Sequence, residues 1–558
     1  MQNSYVELNG RERAQALLDR DTFRELVGPF DRLYSPHLEP QGIVPQSDDG
    51  VIVARGMLQG EQVLVISIEG AFQGGGIGEV GGAKISGALE LALEANIQGD
   101  RIVPILLLDT GGVRLQEANY GLLSISEISS QVIALREHVP VIGVIPGRIG
   151  AFGGMSIVAE LASTLIATRM ARLGLNGPEV IEQEAGVMEF DSRDKELIWN
   201  TIGARQRQAT GLIDELVEDD ATALTAAIYQ AMKRPAKAPK TLQTDFYLSL
   251  LSQFDPAQKW TPENYVELYE KVNPINQFSS FAKEGPSDQA NSRGYRWFAA
   301  LTGMAHPVSD TPSVLAADIV KDGQICRYIS VVPDAASRYP RAKDGEVGLL
   351  EGWTVAQLVR DAIRLDQDSA NKRPIIAIVD VPSQAYGYSE ELIGISLALA
   401  ASTDAYACAR MQGHPVVALI VGNAISGAFL AHGLQANRLI ALDDPGVHIQ
   451  AMSKTSAARI TRRSISELEE ATSKVPAMAY DITSYSTLGS LFRLLQDIQA
   501  DAPRTEDLRA VEFAIAEAIA SIETAPLDLI SSRLQSEAAQ NGGRAATLRV
   551  REALRQQW

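Results

Sequence analysis

Asp109-Thr110-Gly111-Gly112-Val113-Arg114-Leu115-Gln116-Glu117 follows directly on the apolar run Val103-Pro104-Ile105-Leu106-Leu107-Leu108. A continuous apolar run of that kind suits a strand buried on both faces. The phrase therefore reads as a strand end, a glycine turn and the approach to a helix. Further along come Val139-Pro140-Val141-Ile142-Gly143-Val144-Ile145 and Gly153-Gly154-Met155-Ser156, a second strand, a loop and a glycine-started helix. The chain then says nearly the same thing again. Asp380-Val381-Pro382 leads to Gly387 and Glu391, His414-Pro415-Val416-Val417-Ala418-Leu419-Ile420 is another Pro-led strand, and Ser426-Gly427-Ala428 follows it. Backbone amides left free at helix starts favour negative charge. Two copies suggest two anion-stabilising pockets facing one another, and chemistry done by backbone rather than by a triad or a metal.

Outward from this phrase, strands and helices alternate. Val51–Gly56 and Val63–Ile68 read as a hairpin, with Glu61-Gln62 between them. Ala83–Leu93 and Ser124–Glu137 carry apolar residues at helical spacing. Residues 4–28 also read as helical. In the second half, Ser313–Val320 opens the repeat, with Lys321-Asp322-Gly323 as its turn. Strands alternating with helices imply an α/β fold with crossover connections. Between the copies, Pro235–Lys240 is rich in breakers and Ser279–Arg293 is polar with Gly, Pro and Ser, which places the linker there. The expected domains are 1–285 and 286–558. Residues 505–555 read as helical, packing on the body or on the sister domain.

A chain of 558 residues exceeds one ordinary core. Its net charge of −19 argues against nucleic acid as a partner, although local basic clusters can still meet a phosphorylated ligand. Arg459-Ile460-Thr461-Arg462-Arg463 and the pair Arg205 and Arg207 are candidates for such an entry, with a solvated surface as their plain alternative. Cys326 and Cys408 lie far apart, which suits a reducing compartment and neither a disulfide framework nor a zinc site. The start has no basic and apolar leader pattern. No apolar run reaches the ~20 residues of a membrane helix. A cytoplasmic protein without membrane contact is the expectation.

Several motifs have a plainer reading beside the functional one. Gly76-Ile77-Gly78-Glu79-Val80-Gly81 matches the dinucleotide pattern, but Gly70–Gly75 separates it from the preceding strand, so a glycine loop over a pocket is the better reading. Ala231-Met232-Lys233 looks like a biotin attachment core, yet it sits at the end of a helical stretch where cations suit the dipole. His138 and His414, before the Pro-led strands, read as loop caps. No two histidines stand at metal-ligand spacing. Ser156 and Ser426 read as helix N-caps rather than nucleophiles. Arg114-Leu115-Gln116-Glu117 is open. Glu117 suits a helix dipole and Arg114 an ion pair, but both also flank the candidate pocket.

With these residues in view, the chain resembles the carboxyltransferases of the crotonase superfamily, which carry an Asp-Ser-Gly-Gly-Ala-Arg-x-Gln-Glu phrase. Arg172–Gln183 (RLGLNGPEVIEQ) and Gly75–Lys84 (GGIGEVGGAK) are similar to their Gly-Phe-Ala-Gly-Pro-x-Val-Ile-Glu-Gln and glycine-loop motifs. Asp380–Gly387 through Glu391 and Gly394-Ile395 resembles the partner domain's Pro-Gly-Phe-x-Pro-Gly phrase, with Ser383 and Tyr386 as departures. Within the superfamily the resemblance is to the biotin-independent malonate decarboxylases, the beta subunit in the first half and the gamma subunit in the second. Gly150–Met155 and Ala424–Ala428 carry that fit.

The resemblance implies two tandem crotonase-like domains built of spiral ββα repeats. It implies decarboxylation of a malonyl thioester held on an acyl carrier protein, giving the acetyl thioester and CO2. Such a loss of CO2 leaves an enolate, which needs donors aimed at the thioester oxygen rather than a strong base. One donor is worth about 3 kcal/mol. Gly111, Gly112, Gly153 and Gly154 are the expected first oxyanion hole, and Gly387, Gly427 and Ala428 the second. Arg114, Gln116 and Gly76, with Tyr386 and Glu391, are the expected substrate-binding residues. The partners implied are an acyl carrier protein with a CoA-derived prosthetic group and an acyl transferase subunit, with self-association left open. No biotin and no metal is expected. The rival readings are a biotin-dependent acyl-CoA carboxyltransferase, a nicotinamide oxidoreductase at Gly76–Gly81 and a non-catalytic scaffold.

Overall fold

A computed structural model describes residues 4–235, 237–272, 291–304, 308–461, 463–523 and 529–558. The chain forms two compact units, one of residues 1–240 with 545–558 and one of residues 241–544. Most of the expected linker, Ser279 to Ala290, lies outside the described residues, as does Ala236.

The first unit is built on a sheet in the order β1 (Arg24–Leu26), β2 (Val51–Leu58), β3 (Glu61–Ile68), β4 (Val103–Leu107), β5 (Ile142–Ile145), β6 (Thr164–Thr168) and β7 (Glu215–Val217). β2 and β3 form an antiparallel hairpin, and from β3 onward every pairing is parallel. The hairpin turn is Gln59-Gly60, both at positive φ, rather than Glu61-Gln62. That geometry matches the strand twist of a two-residue hairpin. Val65, Ile105, Leu107, Val144 and Ile166 share one buried cluster with Leu224, Ile228 and Met232 of the helix Ala221–Lys233. Lys233 therefore ends a packed helix, as expected, and is no hairpin tip.

The expectation of a helix over 4–28 holds only for Gly10–Leu17. Asp19 ends it, because its carboxylate accepts the amides of Gln59 and Gly60 at the hairpin turn, 2.9 Å each. Arg24–Leu26 then pairs antiparallel with β2 as the edge strand.

The second unit repeats this plan with β8 (Val314–Lys321), β9 (Gln324–Val331), β10 (Ile375–Val381), β11 (Val416–Ile425), β12 (Arg438–Leu442), β13 (His448–Gln450) and β14 (Leu491–Leu495). The order is β14-β12-β11-β10-β9-β8, with β13 beside β11. β8 and β9 are an antiparallel hairpin turned at Asp322-Gly323, with Lys321 of the expected turn instead pairing with Gln324 as the last residue of β8, and the remaining pairs are parallel.

The compact units do not divide at 285/286. Residues 241–272 pack into the second unit: Tyr247 stacks on Trp353 at 4.6 Å, Thr241 Oγ1 donates to Asp404 at 2.6 Å, and Tyr339 donates its hydroxyl to the Leu251 carbonyl at 2.8 Å. The polar composition of Ser279–Arg293 does not reveal that the helices Thr244–Gln253 and Pro262–Lys271 already belong with the second core. The C-terminal stretch also divides. The helix Thr505–Glu523 stays in the second unit, whereas Ala545–Gln557 returns to the first and packs on the helix Glu79–Ile97. There Arg551 pairs with Glu90, Arg555 with Glu94 at 3.0 Å, and the Arg55 guanidinium lies 4.5 Å from the Trp558 ring.

Candidate functional site

At the carboxyl end of β4, Asp109 acts as a latch. It is buried against Arg13 at 2.8 Å, and its other oxygen accepts the amides of Ile149 at 2.9 Å and Gly150 at 3.3 Å. This draws the loop after β5 onto the loop after β4, where Thr110 and Ala151 form a parallel bridge. Gly112 (φ +100°) and Gly153 (φ +56°, ψ −145°) then let the two backbones touch. A Cβ at Gly153 would lie 3.2 Å from the Gly111 carbonyl oxygen, 3.2 Å from Gly112 Cα and 3.9 Å from the Val113 nitrogen.

Hydrogen bonding decides which amides remain at this contact. Gly111 donates to the Gly74 carbonyl at 2.8 Å, Gly112 to Thr110 Oγ1 at 3.0 Å and Gly153 to the Leu175 carbonyl at 2.9 Å. Three of the expected donors are thus engaged within the chain. Among the described residues, the amides of Val113 and Gly154 meet no acceptor. Gly154 is the first residue of its helix, where an open amide is the rule. Gly154 stays a candidate donor from the sequence, and Val113 is a donor that sequence reasoning missed. A search for glycines passes over the residue that follows them.

The expected substrate-binding residues of this half lie just beyond. Arg114 is 2% exposed, and its Nη1 reaches Asp49 Oδ1 at 2.6 Å and Glu117 Oε2 at 2.7 Å, with Phe72 5.1 Å from the guanidinium. The structural side of its two readings is what the geometry supports. Gln116 is half-buried and its carbonyl accepts the Gln41 amide at 2.9 Å. Gly76 is buried, and a Cβ there would come within 3.1 Å of Arg114 Cα.

The same carboxylates close the dinucleotide reading. Asp49 Oδ2 accepts the Gly81 amide at 2.7 Å, Glu117 Oε1 the Glu79 amide at 3.2 Å, and a Cβ on Gly78 would lie 2.2 Å from Glu117. The start of the helix Glu79–Ile97, where a pyrophosphate would have to sit, is filled by the chain's own negative charge. Glu79 is also taken, accepting Thr547 Oγ1 at 3.0 Å and meeting His37 Nε2 at 2.6 Å. Burial and the neighbouring Glu117 push Asp49 up against the pull of Arg114, to about 6. Burial lowers Lys84 to about 8, although nearby carboxylates oppose it.

In the second unit Asp380 repeats the latch, accepting the amides of Gly294 at 3.1 Å and Asn423 at 3.0 Å. Gly427 is buried and donates to Gln384 Oε1 at 3.1 Å. Ala428 is buried in the short helix Ser426–Ala431, and its carbonyl accepts the His432 amide at 2.8 Å. Gly387 caps the helix Tyr388–Ile393, farther along the loop than the residues facing Gly427. Glu391 is fully buried in that helix and Tyr386 is half-buried before it.

Other expectations resolve individually. Ser156 and Ser426 are not N-caps: the caps are Gly153 and Ile425, because the backbone contact fixes where each helix begins. His414 does serve a loop, its Nδ1 lying 2.9 Å from the Arg373 carbonyl. Arg207 is fully buried, with Nε donating to the Leu173 carbonyl at 2.8 Å, so it forms no entry, whereas Arg205 is exposed. Of the other basic cluster, Arg462 lies outside the described residues. Among the described residues there is no grouping of His, Cys, Asp and Glu that could hold a metal ion, and no helix long and apolar enough to cross a membrane.

A parallel sheet opened by a hairpin, with two open amides at a glycine contact between strand end and helix start, suits an enzyme of the carboxyltransferase class. Family models agree: the carboxyl transferase domain matches residues 5–281 and the malonate decarboxylase gamma subunit residues 342–558. The chain is 38% identical to the malonyl-S-ACP:biotin-protein carboxyltransferase MADC of Malonomonas rubra over 43% of its own length and 79% of that protein. It is 38% identical to MADD of the same organism, over 29% of its own length and 56% of that protein. The chain thus spans little more than half of the second relative. A Pseudomonas malonate decarboxylase hetero-tetramer crystallised with malonate contains a chain 50% identical, matched over 48% of this chain and 98% of that one, with a TM-score of 0.48. The protein belongs to the malonate decarboxylase family of carboxyltransferase-fold enzymes, with beta-type and gamma-type halves in one polypeptide.

Proposed function

We propose that this chain decarboxylates a malonyl thioester carried on an acyl carrier protein, yielding the acetyl thioester and CO2. The observation that carries this reading is the pair of open amides, Val113 and Gly154, at the backbone contact held by Gly112 and Gly153. When the C–C bond to the carboxylate breaks, its electron pair moves into the thioester and negative charge gathers on the carbonyl oxygen. Donors fixed in advance at that oxygen lower the barrier without reorganising. The remaining amides of this contact are spent on the scaffold, which keeps the donor pair rigid. Gly76, Gln116 and Arg114 line the approach, with Arg114 orienting the backbone rather than touching substrate. Tyr386 and Glu391 belong to the corresponding approach in the gamma-type half. The homology modules 1–285 and 286–558 follow the beta and gamma subunits, although the compact units divide elsewhere.

The thioester would arrive on the CoA-derived arm of a carrier subunit loaded by an acyl transferase, in a soluble complex without resident biotin. The names of the Malonomonas relatives favour one second reading, carboxyl transfer to a biotin-protein. Incubating the purified chain with malonyl-CoA in the absence of biotin separates the two. Steady release of acetyl-CoA and CO2 is expected. Turnover that appears only when a biotin-protein is added would favour transfer. No turnover under either condition by a folded chain would leave the scaffold reading.

A further inference from the structure

The second unit reproduces the amide contact residue for residue, which identifies an unexpected occupant. In the first unit parallel bridges join Thr110 to Ala151 and Ile77 to Val113; in the second they join Val381 to Ala424 and Val347 to Gln384. Ile77 takes the Gly112 carbonyl at 2.8 Å and receives the Arg114 amide at 3.0 Å; Val347 takes the Ser383 carbonyl at 3.0 Å and receives the Ala385 amide at 3.1 Å. Gln384 is therefore the counterpart of Val113, Ser426 of Gly153 and Gly427 of Gly154. Ser426 even keeps the positive φ, +61° against +56° for Gly153.

The two pockets differ in what fills them. Gly154 presents its amide to no acceptor among the described residues, whereas Gly427 donates to Gln384 Oε1 at 3.1 Å. Gln384 is 6% exposed, so this bond is shielded from water. A side chain rooted at one rim of the second pocket thus reaches the other rim and supplies a carbonyl oxygen there. The side chain of Val113, at the same position of the first pocket, has no atom that could accept.

We infer that Gln384 is a built-in occupant of the second amide pocket and a specificity-determining residue. It denies the Gly427 amide to the carbonyl oxygen of an external carboxyl acceptor such as a ureido group. The inference rests on the decarboxylation reading above. With the pocket closed, the carboxyl group of the malonyl thioester leaves as CO2 and the enolate carbon takes a proton. With the pocket open to a ureido acceptor, the C–C bond still breaks. The carboxyl carbon then bonds to the ureido nitrogen, and the proton displaced from that nitrogen ends on the enolate carbon. No oxidant or reductant enters either sequence.

The test uses the full chain as wild type, Gln384→Ala and Gln384→Glu, with free biotin as the ureido probe. Calorimetric titration of biotin reads the pocket independently of turnover. Saturable binding at least tenfold tighter in Gln384→Ala than in wild type is expected. Gln384→Glu, whose carboxylate still accepts from Gly427, should stay like wild type. With malonyl-CoA labelled in the free carboxyl group, Gln384→Ala should transfer acid-labile label to biotin and wild type should not. Equal biotin binding by wild type and a folded Gln384→Ala overturns the inference, as does labelling of biotin by wild type. Should Gln384→Ala fail to fold, Gln384→Ser removes the same reach and gives the same readouts. If biotin binds as expected but no variant turns over malonyl-CoA, it is the decarboxylation reading that falls.

Discussion

Replacing Arg114 with methionine should destabilise the protein by about 3–5 kcal/mol, because two buried carboxylates would lose the cation that meets both of them directly. Asp49 and Glu117 side chains are 0% exposed, and both meet Arg114 within 2.7 Å. Neither can turn to water. Each also accepts an amide at the start of the helix Glu79–Ile97, so the loss would loosen that helix from the strand end bearing Val113. Arg114→Lys should recover only part of the stability, since one ammonium would have to replace both Nη1, which meets the two carboxylates, and Nη2, which donates to the Asp49 carbonyl at 3.2 Å. Denaturant melts of wild type, Arg114→Met and Arg114→Lys measure this. A loss under 1 kcal/mol in Arg114→Met would mean that the cluster is held by other groups.

The same cluster has a pH signature. Asp49 titrates near 6 in the folded chain, above the ordinary carboxylate value, chiefly through burial. Between about pH 4 and 6 the unfolded chain has released this proton and the folded chain keeps it, so stability falls as pH rises through that window. Other carboxylates titrate there too, and the informative quantity is wild type minus Asp49→Asn. That difference should slope downward across the window and be flat above it. A flat difference throughout would place the Asp49 titration elsewhere.

Much of this arrangement was legible in the sequence, for reasons the structure makes plain. Val103–Leu108 and Val416–Ile420 are buried on both sides, so their apolar runs mark strands without ambiguity. Asp322-Gly323 has the turn chemistry of its hairpin. The glycines at 111–112 and 153–154 do come together, because only small residues let two backbones meet there. Which amides stay open was not legible. It depends on the carbonyls of Gly74 and Leu175 and on the Thr110 hydroxyl, brought in by distant chain. Gln384 was hidden for the related reason that a glutamine in a loop looks solvated until its partner amide is known. The ion pair of Arg114 was half visible: Glu117 lies on the same turn, but Asp49 arrives from the loop before β2.

Gly153→Ser should lower kcat on malonyl-CoA by about a hundredfold or more while leaving KM within a few-fold, since loss of one oxyanion donor typically has that size. The backbone at Gly153 has φ +56° and ψ −145°, which a residue with a side chain adopts at a cost of about 1–3 kcal/mol. The second unit shows that this fold tolerates a serine at the matching place, Ser426 at φ +61°. What the first unit does not have is room: the new Cβ would press at 3.2 Å on the Gly111 carbonyl and on Gly112 Cα. The strand end must then move away from the helix start, and the Val113 and Gly154 amides, the proposed donor pair, would lose their present spacing. Strain alone is separated by Gly99→Ala, also at positive φ (+98°) but with nothing within 4 Å of the new Cβ. That control should lose similar stability and keep its turnover. If Gly153→Ser, folded and only modestly destabilised, turns over malonyl-CoA at the wild-type rate, the enolate is stabilised by something other than these two amides.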